Sequence, residues 1–422
     1  RYNITNGSAT STIISNSSGD YRIDVSSGNH TITPIFENPG YFNVTPATLN
    51  LSFPSQTSPQ SQNFCLSANG PHQDLQIVIF PISPARPGFD ADYKIIYDNA
   101  GTITQSGEVV LTYEGAKSEF VSASLLPSAT TLSSMTWNFS NLQPLEHREI
   151  TFRLNLNTPM ESPPVNIGDQ LNFTAQINPI AGDEFVQNNI LGIKQTVVAS
   201  MDPNDKTCLQ GNVVAPETIG QYVHYVIRFE NTGTFAAQNI VVKDMIDTSK
   251  FDISTLIPIN GSHSFETRIT STNQVEFIFE NIMLPFDDAT NDGYVAFKIK
   301  TLPSLAVGDT FSNNASIYFD YNFPIVTNTA TTTIEALGAN DFNFSDYFTL
   351  YPNPAKDVLY LKADESNQFK SVRIFNIMGQ LVLAISGSAT NSEIDVSDLK
   401  AGNYFIKVST NKGSSNHRFL KE

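Results

Sequence analysis

Tyr225-Val226-Ile227-Arg228-Phe229-Glu230-Asn231-Thr232-Gly233-Thr234 repeats an earlier stretch, Tyr93-Lys94-Ile95-Ile96-Tyr97-Asp98-Asn99-Ala100-Gly101-Thr102, at an offset of 225 − 93 = 132 residues. Tyr225, Ile227 and Phe229 fall on one face of an extended strand, while Val226, Arg228 and Glu230 point outward on the other. Asn-x-Gly then supplies a turn in which glycine can take positive φ without steric cost. Further along, Gly168-Asp169 matches Gly308-Asp309, and Val186 and Asn188 match Val326 and Asn328, at an offset of 308 − 168 = 140. Constant offsets imply duplicate copies of one domain, with a net 140 − 132 = 8 extra residues inside the second.

Composition agrees with an all-β chain. Of 422 residues only 15% are charged and 11% aromatic, with 23 Gly and 23 Pro, the profile of many short strands joined by turns. The length suits several domains of roughly 100–150 residues. The formal net charge is −17, and no basic stripe exists to neutralise phosphates, which argues against nucleic acid as a partner. Charge is unevenly spread: residues 346–422 carry 9 Lys/Arg and 8 Asp/Glu, leaving 15 and 33 for residues 1–345. The tail therefore reads as a module separate from an acidic, medium-facing body. No run of about 18 apolar residues occurs, so no helical membrane span is expected. The chain opens at Arg1 inside a strand-like pattern, without a signal peptide, and reads as part of something longer.

The repeats, expected over residues 70–200 and 203–335, resemble the immunoglobulin-like domains common in bacterial surface proteins. That resemblance implies tandem sandwiches strung like beads and acting as spacers or adhesion modules. Ahead of them, Gly19-Asp20-Tyr21-Arg22-Ile23-Asp24-Val25 alternates as a strand, and Gly28-Asn29 turns the chain into His30-Thr31-Ile32-Thr33-Pro34. Residues 1–64 thereby resemble part of a carboxypeptidase-regulatory-like (transthyretin-like) sandwich. Cys65 and Cys208 are the two cysteines. Paired, they would close a loop of 208 − 65 = 143 residues, worth about 5 kcal/mol in the chain-entropy model. Unpaired, they are two buried thiols.

Residues 336–345 lack alternation and read as a linker. Beyond it come Tyr351-Pro352-Asn353-Pro354, Val358-Leu359-Tyr360-Leu361, Phe375-Asn376-Ile377-Met378-Gly379, Leu399-Lys400-Ala401-Gly402-Asn403-Tyr404 and a closing Arg418-Phe419-Leu420-Lys421. The prolines stop a strand, Met378-Gly379-Gln380 links apolar strands as a hairpin, and seven short strands make a small sandwich. In order and spacing, Tyr351, Pro352, Asn353, Pro354, Asn376, Gly379, Gly402, Tyr404 and Lys421 closely resemble the type A C-terminal sorting domain of the type IX secretion system. The resemblance spans residues 346–422. It implies export across the outer membrane to the cell surface or medium. It also implies recognition by an outer-membrane translocon and shuttle barrel, and removal by a surface sortase acting near residues 336–345. Asp202-Pro203-Asn204-Asp205-Lys206 and Ile317-Tyr318-Phe319-Asp320-Tyr321-Asn322 are similar to an uncharacterised domain that often precedes this signal.

No catalytic constellation is legible. His30, His72, His147, His224, His263 and His417 are scattered, without H-E-x-x-H, and no G-x-S-x-G elbow occurs. The fragment is read as no enzyme, although accessory modules of a secreted hydrolase, or glycan-binding modules, are the alternative. Clustered oxygens at Asp202, Asn204 and Asp205 make a candidate Ca²⁺ site at a domain junction, against a solvated Asx/Pro turn. Asp287-Asp288-Ala289-Thr290-Asn291-Asp292-Gly293 looks like half an EF-hand loop, but its twelfth position would be Ile299, so it reads as a turn.

Overall fold

In the computed structural model, the helical content of the described residues is one 3-10 turn, Pro216–Thr218; everything else regular is strand. The structure describes residues 1–422 except 8, 17, 200–202, 271–272, 336–347, 364–368, 377–380, 390 and 411–412. The chain forms two compact units, Arg1–Glu335 and Ala336–Glu422. The proposed linker, residues 336–345, lies outside the described residues.

In the first unit, each repeat is a two-sheet sandwich. The first repeat packs the sheet Ser118–Ala123, His147–Leu156, Asp90–Asn99, Leu75–Pro81 against a five-stranded sheet running from Ala129–Thr130 to Ile190–Thr196. The second opposes Lys206–Cys208, Tyr222–Glu230, Asp292–Thr301, Phe251–Gly261 to a sheet containing Ala315–Phe319, Ile240–Met245, Gln274–Phe279 and Glu266–Ile269. As the sequence predicts, Tyr225, Ile227 and Phe229 enter the core of the second sandwich. Val226 does not reach solvent: with Tyr294 and Ala296 it completes the core of the first repeat, and Tyr294 meets Phe80 at 5.6 Å between ring centroids. The strand Tyr222–Glu230 is buried on both faces because its outer face is the inter-repeat contact.

The Asn-x-Gly turns are superimposable in chemistry, but not for the reason alternation and turn propensity suggest. Asn99 donates to Ile103 O at 2.8 Å and Leu142 O at 3.0 Å and accepts from Gly101 N at 3.0 Å. Asn231 donates to Phe235 O at 2.9 Å and Leu284 O at 3.0 Å and accepts from Gly233 N at 3.0 Å. Neither glycine has positive φ. Glycine is needed for space: a Cβ at Gly101 would sit 2.4 Å from His72 O, and one at Gly233 2.9 Å from Asn231 Oδ1. Positive φ belongs instead to the matched pair Gly168 and Gly308, at 90° and 94°.

The N-terminal strands join the second repeat rather than the first. Ala9–Ile14 extends its sheet by pairing Thr12 with Ile269 and Ile14 with Thr267, giving a nine-stranded sheet ending at Leu49–Phe53. Tyr21–Val25 shows the expected alternation, with Ile23 and Val25 packing on Ile4, Ile13 and Ile32, yet it forms no ladder. Tyr2–Asn6 is already flanked by Ala9–Ile14 and Gly28–Pro34, so no edge remains for it there. Gly28 opens that last strand instead of ending a turn. Cys65 and Cys208 are free; Cys65 is exposed and Cys208 buried.

Polar side chains stitch the three modules together. Lys298 donates to Glu37 Oε1 at 2.9 Å and Gln76 Oε1 at 3.1 Å, and Gln76 donates to Asp98 Oδ2 at 2.6 Å. Asp74 accepts from Asn38 at 2.8 Å and Asn188 at 3.1 Å. Burial raises Asp74 from 3.8 to about 7 and Asp98 to about 6. A raised carboxylate binds its proton more tightly folded than unfolded, so its contribution to stability falls as pH rises through the folded value. Burial has the opposite sense for His224, lowered from 6.5 to about 3, whose contribution is lost as pH falls below 6.5. Thermal melts are therefore expected to decline from about pH 4 to about pH 7 through the two aspartates, against the opposite trend that His224 contributes below pH 6.5. Asp74→Asn should flatten that decline, and His224→Gln should flatten the loss on the acid side.

Candidate functional site

The tail folds around its own core, in which Leu359, Leu361, Val372, Ile374, Ile394, Ile406, Val408 and Phe419 are fully or almost fully buried. Phe348–Tyr351, Val358–Ala363 and Asn391–Asp395 form one sheet; Leu381–Ala389, Phe369–Asn376, Gly402–Thr410 and Gly413–Lys421 form the other. These are the seven strands the sequence predicts. Gly379 and the rest of the Met378-Gly379-Gln380 hairpin lie outside the described residues, but the strands flanking it pair antiparallel.

Residues from separate motif blocks meet at one end of this sandwich. Asn376 pairs with Tyr404, Tyr404 with Phe419, and Gly402 with Lys421. The Tyr351-Pro352-Asn353-Pro354 loop reaches the same place: Asn353 Oδ1 accepts from Leu420 N at 2.9 Å and its amide donates to Arg418 O at 3.3 Å. Directly after it, Ala355 N donates to Leu420 O at 2.8 Å, and Ala355 O accepts from Glu422 N at 2.9 Å. Two prolines take amide donors out of the loop, which leaves the Asn353 side chain to tie it to the final strand. Tyr404 stacks on Phe419 at 5.7 Å and donates its hydroxyl to Lys400 O at 2.8 Å. Lys421 is buried to 6% exposure, its ammonium donating to the Glu422 carbonyl. The scattered letters of the motif thus close one end of a small domain. Asn353→Ala should cost the tail about 0.5–1.5 kcal/mol, whereas Asn353→Asp, which keeps the acceptor for Leu420 N, should cost less; thermal melts of the two variants compare them directly.

Residues 349–422 match the family model described as a secretion system C-terminal sorting domain. The tail is a type IX sorting domain. Residues 202–333 match a domain of unknown function, DUF7619, which falls on the second repeat. No curated protein matches the chain. Among solved structures it is similar to the C-terminal domain of the AgI/II polypeptide BspA of Streptococcus agalactiae, at 12% identity and TM-score 0.23, covering 62% of this chain and 99% of that one. Collagen adhesin from S. aureus aligns at 15% identity and TM-score 0.22, over 63% and 92%. Dimeric latent PorU from Porphyromonas gingivalis aligns at 12% and 0.16, over 86% and 36%. Superpositions this loose leave the fold to be read from the ladders themselves.

A chain carrying this sorting domain is exported across the outer membrane to the surface or medium. The modules ahead of the sorting domain carry no assigned catalytic family. Among the described residues, no group of three His, Cys, Asp or Glu is placed to hold a metal. Asp202 lies outside the described residues. Asp205, expected as a calcium ligand, instead clamps Arg228 in a bidentate pair at 2.6 and 2.7 Å, and Asn204 Oδ1 accepts from Glu230 N at 3.3 Å. In the EF-hand-like loop, Asn291 is buried and donates to Glu230 at 2.8 Å, as a structural turn requires.

Three polar residues not singled out as functional in the sequence lie inside the second repeat: Lys206, Asp244 and Asn313, at 1%, 0% and 5% exposure. Their signal was present. Asp244 alternates in phase with Ile240 and Val242, and Asn313 with Phe311, so strand period places both inward.

Proposed function

We propose that the sandwiches of residues 1–335 form a stalk or adhesion region, and that the sorting domain is read by the translocon and its shuttle barrel before a surface sortase cuts near residues 336–345. The observation carrying this reading is that Ala336–Glu422 is a compact unit with its own core, removable without opening the other. Its four-stranded sheet supports a docking role. Those strands contain no carboxylate, while Arg373, Lys407 and Arg418 accompany the exposed Phe405 and Leu420. A reporter delivered to the periplasm and fused to residues 336–422 tests it in cells with the type IX machinery. Arrival at the surface is expected; retention in the periplasm overturns the reading.

A ligand-binding reading rests on one cavity of about 610 Å³ at the meeting of the three modules. Phe36, Phe42 and Phe265 line it together with Glu37, Asp98 and Lys298, a size and mix within the range of small-ligand sites. Glycan-array binding by the full chain, lost in Phe42→Ala, would favour this role; silence on every polysaccharide would retire the glycan version.

A further inference from the structure

Ladder register aligns the repeats residue by residue and isolates what differs between their cores. Lys206 faces Ile227 as Ile79 faces Ile95. Asp244 faces Ala315 as Leu111 faces Ala175. Asn313 and Phe173 each lie two residues before those alanines. Lys206, Asp244 and Asn313 thus occupy the positions of Ile79, Leu111 and Phe173, all buried in the first repeat. The surrounding aromatic pair is retained: Tyr225 stacks on Phe297 at 5.5 Å, Tyr93 on Phe152 at 5.2 Å. The sandwich forms with hydrocarbon at all three places, so the polar trio is not a requirement of the fold.

In the second repeat the trio is in contact. Lys206 Nζ donates to Asp244 Oδ2, and the Asn313 carboxamide donates to that same oxygen at 3.3 Å. The Tyr225 and Phe297 rings lie 4.9 and 5.1 Å from Nζ. Asp244 Oδ1 and the Tyr225 hydroxyl are buried without partners, which marks the network as incomplete. Asn328, the other nearby amide, is engaged with the backbone of Lys206 at 2.9 and 3.0 Å. Burial lowers the Lys206 pKa and raises that of Asp244. Both directions favour the proton on the carboxylate over the ammonium, the form in which the amine is a nucleophile beside a carboxylic acid.

We propose that Lys206 and Asn313 become joined by an intramolecular amide bond, with Asp244 as the proton-transferring catalytic residue. The Nζ lone pair attacks Cγ of Asn313 while the Asp244 acid protonates the carboxamide oxygen. The resulting carboxylate takes a proton from Nζ and delivers it to Nδ2. As the oxygen gives its proton back to Asp244, the Cγ–Nδ2 bond breaks and ammonia leaves. Amine plus primary amide gives secondary amide plus ammonia, without oxidant or cofactor. A low-dielectric cage that holds both partners on one carboxylate supplies proximity in place of activation. The bond would tie Lys206–Cys208 at the start of the repeat to Thr310–Asn313 near its end, enclosing 313 − 206 = 107 residues. Tension on an exported stalk would then bypass the core between them.

Intact mass and peptide mapping of the purified full chain test this. The mass should fall short of the sequence mass by one ammonia, and digestion should give a branched peptide joining the Lys206 and Asn313 segments. Asp244→Ala and Asn313→Ala should each restore the full mass expected for the variant. Loss of water in place of ammonia would mean a Lys206–Asp244 amide and overturn the assignment to Asn313. An ammonia loss mapping elsewhere, or linear peptides carrying an unmodified Lys206 and Asn313, would overturn it equally.

Discussion

Asp244→Ala should destabilise the body of the chain by about 1–3 kcal/mol, the cost of leaving the buried Lys206 amine without its hydrogen-bond acceptor. Lys206 is enclosed by Tyr225 and Phe297 and reaches no solvent, so it cannot recover hydration when the carboxylate is removed. The informative comparison is with Lys206→Met, Asp244→Leu and Asn313→Leu made together. Both variants lack any Lys206–Asn313 bond, so they differ only in how the core tolerates what remains. Replacing a whole buried polar group with hydrocarbon of similar volume is often neutral or stabilising, and the first repeat already carries Ile79, Leu111 and Phe173 there. The triple variant should therefore unfold at a higher denaturant midpoint than Asp244→Ala. Equal midpoints would show that the trio holds the fold itself.

Ile406→Asp should abolish surface delivery although every letter of the sorting motif remains. Ile406 is fully buried on the strand Gly402–Thr410 that also presents Gly402 and Tyr404. Burying an unpaired carboxylate costs several kcal/mol. A domain of 422 − 345 = 77 residues has a stability on the order of 4–12 kcal/mol, so the change unfolds much of the population. Phe405→Ser, one residue away but 44% exposed, should leave the fold intact and report on docking alone. Normal export of Ile406→Asp, followed on intact cells by surface labelling, would mean that the machinery reads a linear motif and not the closed end of a sandwich.

Local alternation carried much of the fold. Tyr225, Ile227 and Phe229 point where their period places them, and the tail's strands fall where apolar alternation and prolines put them. Longer-range features had no local signature. Nothing in Ala9–Ile14 announces that it pairs with Glu266–Ile269, some 250 residues away in sequence. Val226 looked solvent-facing because strand period reports two faces but not what covers the second. Asp205 looked like a calcium ligand because its neighbours are oxygen-rich, while its partner Arg228 lies across a ladder. Asp244 and Asn313 were legible as inward-facing polar residues one strand at a time; their meeting with Lys206 is tertiary.

The most direct test of a removable sorting domain is the intact mass of the mature protein recovered from wild-type cells and their medium. A C-terminus within or close to residues 336–345 is the expected result. A mature protein still ending at Glu422 would show that the tail is a permanent domain and contradict its reading as a cleaved export signal.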